Sequence, residues 1–214
     1  MSKKGMLALS LSAMLLLSAC GASGNTTNSG SASGSASGVS AEGVNKAKVK
    51  KNLLSVEITI PADYVKNADT SISNAKDSGF KVTENDDGSL TYKLSKSQHA
   101  ELVKNISDGI QESTQELLDS GDYPTIKDIQ YNDDYTEADV IVDYDEYMNS
   151  WDGFALYAIA YFVPAYQIYN GVEPDDVNTI ISVVDEESGE TKEQANAPKD
   201  FDEKLKEMQA ASEE

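Results

Sequence analysis

One cysteine, one histidine, a run of carboxylates and a run of aromatic side chains are the groups in this sequence that could carry chemistry. The single cysteine, Cys20, excludes an internal disulfide framework and a cysteine-rich zinc site. The single histidine, His99, excludes metal centres that need several histidine ligands. All 17 basic residues are lysine, so the side chain best suited to bidentate recognition of phosphate or carboxylate is missing.

The overall charge is strongly negative and unevenly distributed. The 214 residues include 37 Asp and Glu against 17 Lys, which gives a formal net charge of −20. Residues 101–214 hold 29 of the acidic side chains and six of the lysines. Because phosphate binding needs clustered positive charge, we expect no nucleic-acid partner.

The first twenty residues have the pattern of an export signal. Lys3 and Lys4 precede an apolar run at residues 6–17, which is too short to span a bilayer comfortably. The small residues Ser18 and Ala19 separate this run from Cys20. This order of basic start, apolar run, small residues and cysteine resembles the signal peptide and lipobox of bacterial lipoprotein precursors.

In lipoprotein precursors the cysteine receives a diacylglyceryl group, and a signal peptidase then cuts the chain before it. The resemblance implies that residues 1–19 are a lipoprotein signal peptide and that Cys20 is the lipidated first residue of the mature chain. Two acyl chains give stable anchoring where one is marginal. We therefore expect the chain to face the extracytoplasmic side of the cell membrane, which it contacts through the lipid on Cys20.

Residues 20–50 are predicted to comprise the lipid anchor and a flexible linker. The sequence Ser-Ala-Ser-Gly occurs twice in residues 31–38, and such a segment has too little apolar surface to offset its ordering entropy. Four lysines follow, at Lys46, Lys48, Lys50 and Lys51. They either contact anionic lipid headgroups near the anchor or form a solvated part of the linker.

A globular domain is predicted at residues 51–190, and its strands have clear patterns. Residues 54–60 alternate apolar and polar side chains up to Pro61. Residues 79–84 and 90–94 predict a hairpin around Asp87-Gly88. A second strand pair is predicted at 126–131 and 137–144, and a central strand at 177–184.

Two helices complete the predicted domain. The S-x-x-Q pattern at residues 95–98 is a capping box, and apolar residues at helical spacing follow it as far as Gly121. A second helix is predicted at residues 146–169, where Pro164 should kink or split it. The order β-ββα-ββα-β predicts an α+β fold with a mainly antiparallel sheet and two helices packed on one face. Residues 191–214 are expected to form an acidic C-terminal tail with helical spacing near its end.

Neither the histidine nor the carboxylates point to a defined chemical site. His99 could act as a base toward Ser95 or Ser97, but its place in the first helical turn is typical of a surface residue. The carboxylates are the best candidate for Ca²⁺, although their spacing does not match a calcium loop and a solvated strand face explains them. We predict no catalytic residue, no metal and no cofactor. The acidic set comprises Asn132, Asp133, Asp134, Glu137, Asp139, Asp143, Asp145 and Glu146.

Aromatic side chains are concentrated in residues 144–169. Tyr147, Trp151, Phe154, Tyr157 and Tyr161 recur every three or four residues, which predicts a shared helix face. Such a stripe packs into the core, contacts a partner or binds a glycan, and the sequence leaves all three open. If the stripe is a contact surface, then Trp151, Tyr157 and Tyr161 are the candidate partner-binding residues.

A second resemblance rests on three short segments. They are TIPAD at residues 59–63, DGSLTY at 87–92 and SKSQH at 95–99. Together they resemble a group of small surface lipoproteins of Gram-positive bacteria that has no established function. The resemblance implies an envelope without an outer membrane, in which the domain faces the cell-wall space.

The predicted function is therefore a non-enzymatic binding or interaction module whose partner is an envelope protein or a wall component. An alternative is a lipoprotein that captures a cation or a small solute for a transporter. A hydrolase of wall polymers acting through Asp143 and Glu146 ranks behind both, since nothing distinguishes these carboxylates from their neighbours. The first function requires an exposed aromatic patch, and the second requires a concave pocket with convergent polar groups.

Overall fold

A computed structural model describes residues 46–77 and 79–212 of the chain. The predicted signal peptide, Cys20 and the linker as far as residue 45 lie outside the described residues. Within the described ranges, no helix is both long and apolar enough to cross a bilayer.

The first of two four-stranded sheets has the order β1-β2-β4-β3 and is antiparallel throughout. Its strands are β1 (Lys48–Lys51), β2 (Ser55–Ile60), β3 (Lys81–Glu84) and β4 (Leu90–Ser95). The predicted hairpin is confirmed: β3 pairs with β4 across a turn in which Gly88 has a φ of 80°. Central pairing of β2 with β4 brings the apolar residues of both strands onto one buried face.

The second sheet has the order β5-β6-β7-β8. Its strands are β5 (Ile126–Tyr131), β6 (Glu137–Val142), β7 (Thr179–Asp185) and β8 (Thr191–Ala197). The β6–β7 pair is parallel and the other two pairs are antiparallel. The apolar strand predicted near residue 180 is indeed central, because β7 lies between β6 and β8.

In the part of the chain that the structure describes, five α-helices accompany the sheets: α1 (Ala68–Asp77), α2 (Lys96–Ser120), α3 (Tyr144–Tyr147), α4 (Ala155–Tyr169) and α5 (Lys199–Ser212). Short 3₁₀ turns lie at Ala62–Tyr64, Asp152–Phe154 and Pro174–Asp176. The strands and helices confirm the predicted α+β class and the predominance of antiparallel pairing.

The longest helix, α2, connects the two sheets. The predicted capping box is present at its start: Ser95 Oγ accepts from the Gln98 amide, and Gln98 Oε1 accepts from the Ser95 amide. Gly121 ends it in the left-handed conformation, with a φ of 70°. The helix packs on α4 and also contacts β2, β4 and β5. The expected single sheet is therefore two sheets, because α2 leads the chain from β4 to a separate strand system rather than back to the first.

Two edge strands lie where the sequence predicted linker and tail. Residues 48–50 of β1 fall within the predicted linker of residues 20–50, and β8 falls beyond the predicted domain end at residue 190. Both strands are mostly exposed and polar, so they have almost no apolar alternation by which a strand is recognised. Polar and charged residues are typical of sheet edges, where they discourage pairing with other chains.

The predicted second helix is interrupted, and the interruption does not lie at Pro164. Helix α3 ends at Tyr147, a 3₁₀ turn covers Asp152–Phe154, and α4 then continues through Pro164 without a break. The helix is therefore split about a dozen residues before Pro164 rather than at it. The Asp143 side chain caps the short α3, and Asp152 is held by Thr125, the turn residue that precedes β5.

A buried polar network fixes α4 to the second sheet. Gln167 Nε2 donates to the carbonyl oxygens of Tyr135, at 2.8 Å, and Asn178, at 3.0 Å. The Thr179 hydroxyl donates to the same Tyr135 carbonyl at 2.9 Å. Because buried polar groups are strongly penalised when unpaired, this network sets the position of the helix that carries Tyr157 and Tyr161.

Candidate interaction surface

A row of three aromatic rings extends from the 3₁₀ turn onto α4. The ring centroids of Trp151 and Phe154 are 5.8 Å apart, and those of Phe154 and Tyr157 are 6.0 Å apart, with nearly parallel planes in both pairs. Trp151 is 81% exposed and Phe154 is 53% exposed, while Tyr157 is half-buried. We call these three residues the aromatic row.

The inner end of the aromatic row is anchored in the core. Tyr157 meets the buried Phe201 of α5 edge to face, with ring centroids 5.0 Å apart. Edge-to-face and offset-stacked pairs are the favoured arrangements of aromatic rings. The row therefore runs continuously from the core to solvent and presents its largest ring at the exposed end.

A buried carboxylate holds the exposed end in place. Asp152 is 6% exposed, and its Oδ2 accepts from the Thr125 amide at 2.9 Å and from the Thr125 hydroxyl at 2.7 Å. The Asp152 amide donates to Ser150 Oγ at 3.0 Å. The residues on both sides of Trp151, Ser150 and Asp152, are therefore held by hydrogen bonds, and the indole projects from a fixed backbone.

Tyr147 packs beneath the same turn, against Gly153, which is the middle residue of the turn. Burial, with smaller contributions from Glu193 and Asp152, raises the pKa of the buried Tyr147 hydroxyl to about 12. A Cβ on Gly153 would lie 3.1 Å from this hydroxyl oxygen, so the turn passes over Tyr147 at close range. The predicted aromatic face is thus divided: Tyr147 belongs to the core and Trp151 to the surface.

The structure places the three candidate contact residues in different environments. Trp151 lies outside any helix, so it does not share a helix face with the others as predicted. Tyr157 forms the inner part of the aromatic row. Tyr161 is half-buried, and its hydroxyl donates to Asp202 Oδ1 at 2.6 Å, which joins α4 to α5. Burial and this carboxylate raise the pKa of Tyr161 to about 12.

His99 is buried, contrary to the expectation of a surface residue. Its side chain turns toward the end of α4, where Nε2 donates to the Tyr169 carbonyl at 2.7 Å. Burial lowers its pKa, the hydrogen bond to Tyr169 opposes that shift, and the charges of Lys51 and Lys96 add to it. The hydroxyls of Ser95 and Ser97 bond to each other at 3.1 Å. Within the described residues His99 bonds to neither serine, so the proposed base and hydroxyl are not brought together.

An open cavity of about 550 Å³ lies beside His99, between α2, the end of α4 and the first sheet. Three of its lining residues are lysines: Lys51, Lys96 and Lys104. Lys51 Nζ donates to the Asn170 carbonyl at 2.6 Å, and Lys104 pairs with Asp108. The three lysines and the paired Asp108 leave a surplus of positive charge on the lysine side of the cavity, while Asp133 and Asp134 act on the lining Tyr166. The cavity has the size of ordinary ligand sites, and its charge suits an anion.

The side chains of the acidic set do not come together as the ligands of one site. Asn132 Oδ1 accepts from the amides of Thr136 and Glu137 and so closes the β5–β6 turn. Asp143 caps α3. In residues 46–77 and 79–212 no three His, Cys, Asp or Glu side chains are close enough to hold a metal ion.

Asp152, Thr125 and Phe201 are the functional positions that the sequence did not reveal. Asp152 follows Trp151 directly, yet a single Asp among 37 acidic residues carries no signal of burial. Thr125 and Phe201 lie 27 and 49 residues away from it in the chain. The contact of Thr125 with Asp152 and that of Phe201 with Tyr157 follow from tertiary packing alone.

Comparison with known proteins gives one match. Residues 48–152 match the family model described as the Adhesin P1 N-terminal domain. These residues are just under half of the chain and include Trp151 and Asp152. No curated protein and no solved structure matches the chain significantly. The similarity over residues 48–152 indicates an adhesin-like surface protein of bacteria.

Proposed function

We propose that the chain is a non-enzymatic, lipid-anchored interaction module of the bacterial cell envelope whose aromatic row contacts an envelope protein or a wall component. The observation that carries this proposal is an exposed Trp151, stacked on Phe154 and fixed by the buried Asp152. Tryptophan and tyrosine are enriched at binding hot spots, and a ring that is already ordered loses little entropy on binding.

The carboxylates around the aromatic row indicate the charge that a partner should carry. Asp145 and Glu146 are exposed on α3, a few residues before Trp151, and Asp202 bonds to Tyr161. The chain as a whole carries a net charge of −20. A complementary partner therefore offers an apolar recess for the indole and basic groups around it.

Binding to isolated cell envelopes tests this contact. The predicted mature chain, residues 20–214, is used with Cys20→Ala, so that neither the signal peptide nor a lipid on this residue contributes to retention. Saturable binding is expected. Retention no greater than that of an unrelated protein of similar negative charge would contradict the proposal.

Lipid attachment at Cys20 is tested separately. Metabolic labelling with a fatty acid is expected to tag the wild-type chain and to be lost in Cys20→Ala, because the thiol is the acceptor of the diacylglyceryl group. Ser18→Ala is the matched control, since it keeps a small residue before the cysteine, and its labelling should persist. Equal labelling of Cys20→Ala and wild type would refute the anchor.

The lysine-lined cavity favours a second candidate function, the capture of a small solute. Its surplus of positive charge favours an anion over the cation considered from the sequence. Lysine binds phosphate as a point charge, so inorganic phosphate is a suitable probe. Lys96 is the clearest test residue, because its side chain forms no ion pair or hydrogen bond with other described residues and its charge acts on His99.

The imidazole of His99 is the only one in the chain, so its NMR signal reports on this cavity alone. Titration of the full chain with phosphate at constant ionic strength should shift the signal to saturation. Bound phosphate should also raise the His99 pKa, because it offsets the charges of Lys51 and Lys96. Lys96→Gln should weaken this binding, whereas Lys81→Gln on the exposed strand β3 should not. An identical response to sodium chloride would rule out the site.

A further inference from the structure

The tip of the β1–β2 hairpin exposes two large apolar side chains. The Asn52 amide donates to the Ser55 carbonyl at 2.8 Å, so Leu53 and Leu54 form the two-residue loop. They are 88% and 82% exposed, more than any other large apolar side chain in the described ranges. Tight turns favour Gly, Asn, Asp and Ser, so the requirements of the turn do not account for two leucines. We call these two residues the leucine tip.

The leucine tip lies in the most basic part of the chain. Lys46, Lys48, Lys50 and Lys51 precede it, and residues 43–56 contain no acidic side chain. Lys46, Lys48 and Lys50 are exposed. A long stretch of the remaining chain is strongly acidic, with 29 carboxylates against six lysines in residues 101–214.

One carboxylate lies opposite these lysines, and it is already paired. Glu57 is the β2 partner of Lys50 in the strand register, and it forms an ion pair with Lys93 at 3.5 Å. The hairpin therefore keeps an excess of positive charge next to its apolar tip. The combination of exposed apolar side chains and neighbouring ammonium groups matches the boundary between acyl chains and anionic headgroups.

We propose that the leucine tip inserts into an anionic lipid bilayer while Lys48 and Lys50 of β1 contact its headgroups, which makes this hairpin a second membrane contact besides the lipid on Cys20. Lys46 follows Cys20 by 26 residues, so the hairpin is the part of the described domain closest in sequence to the proposed anchor. The acidic remainder of the chain is repelled by the same surface. The domain thus acquires a defined orientation, with the hairpin toward the membrane.

A spin label at the tip tests insertion directly. In the predicted mature chain, residues 20–214, carrying Cys20→Ala and Leu54→Cys, the introduced cysteine is the only thiol, so the result depends neither on lipidation nor on the apolar signal peptide. Phosphatidylglycerol-containing vesicles should raise the ratio of oxygen to nickel-chelate accessibility of this label several-fold. A label at Glu187→Cys, on the exposed β7–β8 turn of the other sheet, should show no such rise.

The lysine contribution has a matched control. Lys48→Gln with Lys50→Gln should weaken binding to the anionic vesicles by about fivefold for each lysine removed. Lys204→Gln with Lys206→Gln removes two exposed lysines at the same spacing from α5 and should have little effect. Equal effects of the two pairs would overturn the headgroup contact.

Two outcomes at the tip would overturn insertion. If the Leu54 label is as accessible to the nickel chelate as the Glu187 label, the tip remains in water. If it is shielded from both reagents, the tip is covered by protein, either a partner or a second copy of the chain. Because the labelled chain has no acceptor for lipid, neither outcome bears on the anchor, whose failure is seen only by fatty-acid labelling.

Discussion

Replacing Trp151 by alanine is expected to weaken binding to isolated cell envelopes by about 30-fold or more, the effect typical of an interface hot spot. The indole is 81% exposed and makes its ring contact with Phe154 at the surface, so the fold loses little when it is removed. Thermal unfolding should therefore remain close to that of the wild type. A large loss of binding with unchanged stability is the signature of a contact residue.

Two comparisons make the Trp151 result specific. Binding is measured by sedimentation with envelopes in the Cys20→Ala background. Met208→Ala removes another exposed apolar side chain, from α5, and should bind as the unsubstituted chain does. Phe154→Ala should give an intermediate loss, because Trp151 keeps its backbone position but loses its stacking partner. Equal binding of Trp151→Ala and Met208→Ala would remove the aromatic row from the proposed interface.

Replacing Asp152 by alanine is expected to lower the free energy of unfolding by about 3 kcal/mol, because it leaves two buried donors of Thr125 without their acceptor. The midpoint of urea denaturation measures this change. Thr125→Val is the companion variant: it removes the hydroxyl donor alone and should destabilise the chain less. A change below about 0.5 kcal/mol, as is usual for surface substitutions, would contradict a structural role for Asp152.

The Asp152 variant should also weaken envelope binding under conditions in which the chain stays folded. Without its anchor to Thr125 the turn that carries Trp151 becomes free to move, and ordering it again opposes binding. The companion Thr125→Val should weaken binding less than Asp152→Ala. This ranking separates positioning of the indole from direct contact, since neither Asp152 nor Thr125 is exposed.

The strands and turns whose sequence pattern is complete within a few residues could be predicted from the sequence. The alternation of residues 54–60, the Asp87-Gly88 turn and the capping box at Ser95 each specify their structure within a few residues. Strand β7 is recognised because a centrally placed strand is apolar on both faces. These elements depend little on distant parts of the chain.

The elements that the sequence did not reveal are those whose structure depends on distant residues. Strands β1 and β8 are polar edges that exist because β2 and β7 offer hydrogen-bonding partners. Helix α1 also went unrecognised, since its residues are mostly polar and small. The break between α3 and α4 depends on Thr125, which no local pattern connects to Asp152.

The sequence predicted which aromatic residues make up the candidate site, but not which of their side chains are exposed to solvent. The spacing of Tyr147, Trp151, Phe154, Tyr157 and Tyr161 directed attention to this segment. A continuous helix would have placed all five on one face. The interrupted helix instead sends Tyr147 into the core and Trp151 into solvent, and only tertiary structure distinguishes the two.

Trp151 is the only tryptophan of the chain, so its fluorescence provides the most direct test of the proposed contact surface. In the free mature chain, residues 20–214 carrying Cys20→Ala, acrylamide should quench the emission as it quenches an exposed indole. With saturating cell envelopes, quenching should fall several-fold and the emission should shift to shorter wavelength, because the partner covers the ring. Envelope binding that leaves both the quenching and the emission wavelength unchanged would contradict the account.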